Sequence, residues 1–248
     1  MGKIKKAIIK DIFRWEIKNW SKFIDFIENA LKEVFVLTNN SIDDEGNIIS
    51  DTALKDKIAV ELGADEGGLS IYLALRGFRT KCTDLTNPYD RAKKNHIKYS
   101  IEKVVEYQAI DITKIPYPDN SFDLIILKSV LVMLGDIKTQ EKAIKEIYRV
   151  LKPGGILLAC ENIKGSYIHR KLRRIVTPWR GRTNYLSINE IKNLYSNYSS
   201  LKLNTYGFFG VFGWRFKLLK EILCLIDSFI IKFIPEDLRY IGFIYAKK

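Results

Sequence analysis

The sequence predicts an α/β fold, a doubly wound and mostly parallel sheet, on three observations. From residue 58 short apolar runs alternate with amphipathic stretches. The first run is followed by a glycine-rich turn that opens a helix. Acidic residues then stand at the ends of the next two runs. Strand–helix alternation at this spacing means right-handed crossovers, with helices on both faces of the sheet.

The elements follow in order. Before residue 57, Ile12, Phe13, Trp15, Ile17, Trp20, Phe23, Ile24, Ile27, Leu31 and Val34 recur at helical spacing, which predicts an N-terminal helical extension over 1–56. Asn39–Asn40 and Asp43–Gly46 mark a loop. A core over 57–163 begins with the strand Lys57–Leu62, then the helix Leu69–Arg76 and the strand Phe78–Thr83. The helix Arg91–Tyr99 and the strands Val104–Ile110 and Phe122–Leu127 come next. Lys138–Leu151 is an amphipathic helix stopped by Pro153–Gly154–Gly155, and Ile156–Glu161 is a fifth strand. The remainder, 164–248, completes the same domain. It holds a basic helix over Lys164–Val176 and a helix capped by Ser187 with Glu190 at the capping-box position. Strands at Leu201–Tyr206 and Arg239–Ala246 flank a helical insertion, Trp214–Ile234. That insertion is apolar around most of its circumference. Burial against its own domain or a dimer mate is the ordinary outcome, and a membrane-surface helix the sharper one.

Composition excludes several classes. Apolar residues make up 47% of 248, enough for a core and too many for a disordered chain. No run of 18 apolar residues appears, so no spanning helix is expected. The basic, then apolar start MGKIKKAIIKDIF offers no small-residue cleavage site and reads as mature protein of the cytoplasm. Cys82, Cys160 and Cys224 are too few and too scattered for a disulfide framework; with only His96 and His169 beside them, no metal is expected. The net charge is +12, and residues 164–248 hold sixteen basic against five acidic side chains. Almost the whole imbalance therefore lies in the last third.

The site-bearing motifs lie at carboxyl ends of predicted parallel strands, where open α/β sheets bind ligands. Glycines in Glu61–Gly68 let a ligand approach the backbone. Asp84, at the end of the second strand, can accept hydrogen bonds from the two hydroxyls of a ribose. Asp111, after the third, can accept from an adenine amino group.

ELGADEGG, CTDLT, QAIDITKIPYPDNSFDLIILKSVL and EIYRVLKPGGILLACEN, in this order and spacing, resemble the class I S-adenosylmethionine-dependent methyltransferases. The resemblance covers 57–163. It implies a seven-stranded sheet with the last strand antiparallel, S-adenosyl-L-methionine as cofactor and S-adenosyl-L-homocysteine as product. It also implies roles. Gly63, Ala64 and Gly67 face the methionine end, and Glu61 braces their turn. Asp84 holds the ribose and Leu85 packs on the adenine. Asp111 and Ile112 read the adenine edge, and Lys128 offers its carbonyl to the methionine amine. Asp65 replaces the middle glycine of the family pattern; it tolerates left-handed geometry, and its charge either meets the methionine ammonium or weakens binding. Trp15 and Trp20 either pack into the core or form a lid, with Trp20 lining the cofactor. RWEIKNWSKFIDFIE resembles, more faintly, the leader helix of methyltransferases associated with surface glycans.

On the acceptor side, His169 is either a general base or an exposed polar residue of a basic helix. Residues 164–182 carry seven cations and no acid, either a solvated face or a clamp on an anionic acceptor, with Arg170, Arg173 and Arg180 as the candidates. Lys128–Ser129–Val130–Leu131 contains neither an Asn/Asp-Pro-Pro-aromatic motif nor a Pro-Cys nucleophile. That argues against amino methylation of adenine or glutamine and against attack on pyrimidine carbon-5. A hydroxyl or other small nucleophile of an anionic small molecule, sugar or lipid-linked glycan remains. The rivals are an RNA methyltransferase and a non-catalytic binding protein on the same fold.

Overall fold

The computed structural model describes residues 21–38, 48–176, 182–213 and 216–248. Among the described residues, seven helices, α1 (Lys22–Val34), α2 (Gly68–Arg76), α3 (Tyr89–Lys98), α4 (Ile137–Val150), α5 (Tyr167–Val176), α6 (Ile188–Leu194) and α7 (Lys217–Ile230), flank seven strands. The strands are β1 (Ile58–Leu62), β2 (Arg79–Asp84), β3 (Val105–Ala109), β4 (Phe122–Lys128), β5 (Leu151–Asn162), β6 (Ser200–Tyr206) and β7 (Ile241–Lys247). The sheet order is β3-β2-β1-β4-β5-β7-β6. β1 to β5 are parallel, and β7 runs antiparallel to both β5 and β6. This is the seven-stranded class I methyltransferase topology expected above. The chain leaves β1 in one direction toward β2 and β3 and returns past it to β4, so the switch point lies between β1 and β4.

Alternation along each strand divides the core in two. Ala59, Leu124, Ile126, Leu158, Phe243 and Tyr245 face α1 and α2. Val60, Leu62, Ile125, Leu127, Leu157 and Ile244 face α4 and α6. Each fully buried Val, Leu, Ile or Phe side chain among them contributes roughly 1.5–3 kcal/mol. α1 packs Phe23 on Phe243 with ring centroids 5.1 Å apart. A buried ion pair, Arg76 Nε to Glu28 Oε1 at 3.0 Å, ties α1 to the end of α2. Trp15 and Trp20 lie outside the described residues.

Two elements differ from expectation. β5 begins at Leu151, directly after α4, and a register shift against β4 between Phe122 and Leu124 accommodates Pro153–Gly155. α7 turns its apolar stripe outward: Leu218 is 75% and Phe229 70% exposed, while Asp227 is fully buried. The expected burial of this helix does not hold in the single chain. The reason is a local demand for charge inside. The Asp227 carboxylate accepts from the backbone N–H groups of Phe208 (3.1 Å), Phe209 (2.8 Å) and Gly210 (3.0 Å), and so fixes the polar side of the helix inward. The three cysteines are buried and unbridged. Among the described residues no helix is long and apolar enough to cross a membrane.

Candidate functional site

The turn after β1 is built by backbone conformation and by one buried carboxylate. Gly63, Asp65 and Gly67 have φ of 70°, 49° and 70°. Asp65 therefore adopts the left-handed geometry in place of a glycine. A Cβ at Gly63 would run into the Val130 side chain, and one at Gly67 into the His96 imidazole. Glu61 is 3% exposed and accepts from Leu69 N (3.2 Å), Ser70 N (2.6 Å) and the Ser70 hydroxyl (2.5 Å). These bonds satisfy orphan donors in the first turn of α2 and hold the glycine turn against β1. Burial pushes the Glu61 carboxyl up to about 7, against the pull of the same hydrogen bonds.

Asp84 ends β2 and shares its carboxylate among three donors: Leu85 N at 2.7 Å, Asp65 N at 2.9 Å and the Arg91 guanidinium at 3.0 Å. Arg91, on α3, also donates to the Asp65 carbonyl at 3.3 Å and to the Thr86 hydroxyl at 3.0 Å. An ionised carboxylate offers about four acceptor positions, so Asp84 retains capacity, and more if Arg91 swings away. Leu85 beside it is 71% exposed. The next strand end lies against this one, since Ile110 N donates to the Asp84 carbonyl at 2.7 Å. Asp111 follows, its Oδ1 accepting from Thr113 N and the Thr113 hydroxyl, both at 2.8 Å. Those bonds hold its carboxyl below the usual range. Ile112 is buried beneath.

A second buried carboxylate stands at the end of β5. Glu161, 3% exposed, accepts from Val130 N (2.8 Å), Leu131 N (2.9 Å) and Val132 N (3.3 Å). It ties down the loop after β4, where Ser129 has a φ of 57°, and so presses Val130 toward Gly63. Burial raises its carboxyl to about 7, and the Lys128 ammonium moderates the rise of both Glu161 and Glu61. Sequence reasoning missed Glu161 and Arg91. An acid inside the apolar run LLACEN was a readable signal for the first; nothing marked the second among the cations of α3.

Among the described residues the acceptor-side candidates His169, Arg170 and Arg173 do not converge. His169 is fully buried: its Nδ1 accepts from Ser166 N at 3.1 Å, so the proton sits on Nε2, which donates to the Phe208 carbonyl at 2.7 Å. Burial lowers its pKa, and with both nitrogens committed it braces the 208–213 turn and is withdrawn as a general base. Arg173 is 5% exposed, donates to the carbonyls of Ile163 (2.6 Å) and Tyr240 (3.2 Å), and stacks over Tyr185 at 4.3 Å. It is a packing residue and is withdrawn from the clamp. Arg170 is exposed and donates to the Gly165 carbonyl at 3.0 Å. Arg180, like Trp20, lies outside the described residues. Ser187 and Glu190 do form the expected capping box, and Lys164 pairs with Glu190 at 2.7 Å.

Residues 60–159 match the family model described as "Methyltransferase domain". An uncharacterized protein of Haemophilus influenzae is 34% identical over 106 residues, 42% of each chain. A ubiquinone/menaquinone biosynthesis C-methyltransferase of Pseudoalteromonas translucida is 40% identical over 63 residues, 25% of this chain and 24% of its own. The chain thus spans less than half the length of these curated relatives. Among solved structures, a Haemonchus contortus phosphoethanolamine N-methyltransferase in complex with phosphomonomethylethanolamine and S-adenosylhomocysteine superposes with a TM-score of 0.56. The identity there is 16%, over 79% of this chain and 49% of the other, a likeness of fold.

Proposed function

We propose that this chain, which carries a methyltransferase domain of the class I type over residues 60–159, binds S-adenosyl-L-methionine at the carboxyl edge of its sheet and transfers the methyl group to an acceptor. The observation that carries the reading is that the Glu61-braced turn, Asp84 and Asp111 stand at the carboxyl ends of the neighbouring strands β1, β2 and β3, on the β1 side of the switch point. The residues present fit that cofactor. Asp84 and Asp111 have acceptor capacity for ribose and adenine, and Leu85 offers an exposed apolar face.

The cofactor supplies a methyl group already activated by its sulfonium. The protein's work is to bind, orient and exclude water. Glu61 and Glu161 hold the two loops that face each other across Gly63 and Val130, so the geometry there is fixed before any ligand arrives. With His169 committed to the fold, positioning for in-line attack is the main source of acceleration. The acceptor reading is a hydroxyl or other small nucleophile of an anionic small molecule or lipid-linked glycan. It rests on the exposed cations Arg170, Lys171 and Arg174 of α5, the helix that follows β5 at this edge.

Titration calorimetry tests the cofactor directly. Wild type should bind S-adenosyl-L-methionine, and Asp84→Ala should weaken binding by roughly 1.5–3 kcal/mol, the worth of charge-assisted hydrogen bonds to the ribose. Equal affinity in wild type and Asp84→Ala, or no binding by wild type, would sink the assignment.

A further inference from the structure

α7 is built inside-out for a helix of a free-standing domain. Leu218, Ile222, Leu225 and Phe229 fall on one stripe, and all four are exposed. Leu219 and Ile226 widen it to about a third of the circumference at 3.6 residues per turn. Phe216 before the helix and Phe233 after it are 66% and 77% exposed. The inward side carries Asp227 and Cys224 instead. α5 flanks the same 208–213 turn, through His169 Nε2 on the Phe208 carbonyl at 2.7 Å and the His169 ring stacked on Phe212 at 5.4 Å. It too exposes apolar side chains, Tyr167, Ile168 and Ile175, interleaved with the exposed cations Arg170, Lys171 and Arg174.

We propose that α7 and α5 together form a docking surface for an anionic lipid bilayer, with α7 lying in the plane of the interface. Apolar area of this extent on one helix calls for a cover. Charge decides which one. The last third of the chain holds sixteen basic and five acidic residues, and 164–182 has no acid. A second copy meeting this face across a two-fold axis would bring two such cationic thirds together, which is repulsive. Nucleic acid would satisfy the cations and leave Leu218, Leu225 and Phe229 in water. A bilayer with acidic headgroups takes both: the stripe enters the acyl boundary while the cations of α5 meet the phosphates. α5 follows the carboxyl end of β5, so it starts from the same edge of the sheet as the site proposed above. The docking itself does not depend on that site's chemistry.

Flotation of the full chain with vesicles tests this. Wild type should float with phosphatidylcholine–phosphatidylglycerol vesicles, far less with phosphatidylcholine alone, and should be released by salt. The double change Leu225→Asp with Phe229→Asp should lower partitioning more than about tenfold, from two lost apolar contacts. Lys171→Ala with Arg174→Ala should lower it by about fivefold per cation and weaken the preference for acidic lipid. Both variants should keep wild-type affinity for S-adenosyl-L-methionine and wild-type circular dichroism, which separates this idea from the cofactor assignment and from misfolding. Failure of wild type to float with acidic vesicles overturns the proposal. So does flotation of the Leu225→Asp/Phe229→Asp variant equal to wild type. A dimer in light scattering that the same variant dissolves would assign the face to a second copy, and salt-sensitive RNA binding without flotation would assign the cations to nucleic acid.

Discussion

Charge is used in opposite ways on the two sides of β4. Toward β3, Asp84 and Asp111 sit on short turns at strand ends, bonded to nearby donors but with acceptor capacity left. Beyond β5, Arg173 and Lys164 have given their donors to backbone carbonyls and to Glu190. The first arrangement keeps acceptor positions open and the second is spent on the fold. A strand end has its direction fixed by the ladder beside it, so a side chain there points to the same edge whatever the surroundings. A residue on a helix points wherever the helix is rotated, and what packs over α5 is set by segments far away in sequence, Phe208 and Tyr240 among them.

The largest expected effect separates two arginines of one helix. Arg173→Met should cost about 3 kcal/mol of stability, because it strands the carbonyls of Ile163 and Tyr240 and empties a stacked site. Arg170→Ala should cost under about 0.5 kcal/mol. Chemical denaturation measures both. Equal, small losses would restore Arg173 to the pool of ligand-binding candidates.

That contrast explains what could be read from the sequence. The parallel strand–helix alternation and the capping box at Ser187 were legible because each depends on local pattern, while the seven-stranded sheet with its antiparallel last strand came from the family resemblance. Neither alternative that the sequence left open for His169 and Arg173, ligand-facing or solvent-facing, anticipated their burial, which depends on the residue before β7 and on the turn after β6. The apolar run at 214–234 was legible as a helix, but its facing was decided by Asp227, whose partners are backbone N–H groups that no sequence pattern announces. Glu161 lay in plain sight within LLACEN. A charged residue in a buried strand must find partners, and its backbone donors after β4 are what it found.

The second test concerns Glu161, the buried carboxyl at the end of β5. Glu161 has its folded-state carboxyl raised from 4.5 to about 7. Protonation therefore favours the fold: this contribution is whole below about pH 4.5 and is lost as pH rises through 7. In thermal melts the stability advantage of wild type over Glu161→Gln should shrink across that window by about 3 kcal/mol. A pH-independent gap would mean that the carboxylate stays ionised at the mouth of the loop.

A third test sharpens how poised the ligand side is. Arg91 and Asp84 form a partly exposed pair, and such pairs are worth about 1 kcal/mol or less. If Arg91 competes with the ribose for Asp84, Arg91→Met should tighten S-adenosyl-L-methionine two- to fivefold, by that same energy. Weaker binding would instead give Arg91 a direct contact with the cofactor. The smallest effect belongs to Asp65→Gly. It should add about 0.5 kcal/mol of stability by relieving a left-handed residue, with cofactor affinity held or slightly improved. A clear loss of affinity in the same titration would show that the Asp65 carboxylate meets the methionine ammonium.

The placement of β7 has a consequence for how the molecule comes into being. β5 waits for its neighbour until Ile241 has been made to meet Asn162, and β6 has no other partner in the sheet. During synthesis the first five strands can assemble as they emerge, while the edge of β5 stays bare. Its apolar run Ile156–Cys160 is then open to strand pairing with any neighbouring nascent chain. A ribosome stalled before residue 241 would release a product with β1 to β5 in place and an adhesive flank. Heterologous expression should therefore be unusually sensitive to rare codons or truncation in the stretch that encodes Tyr240–Ala246.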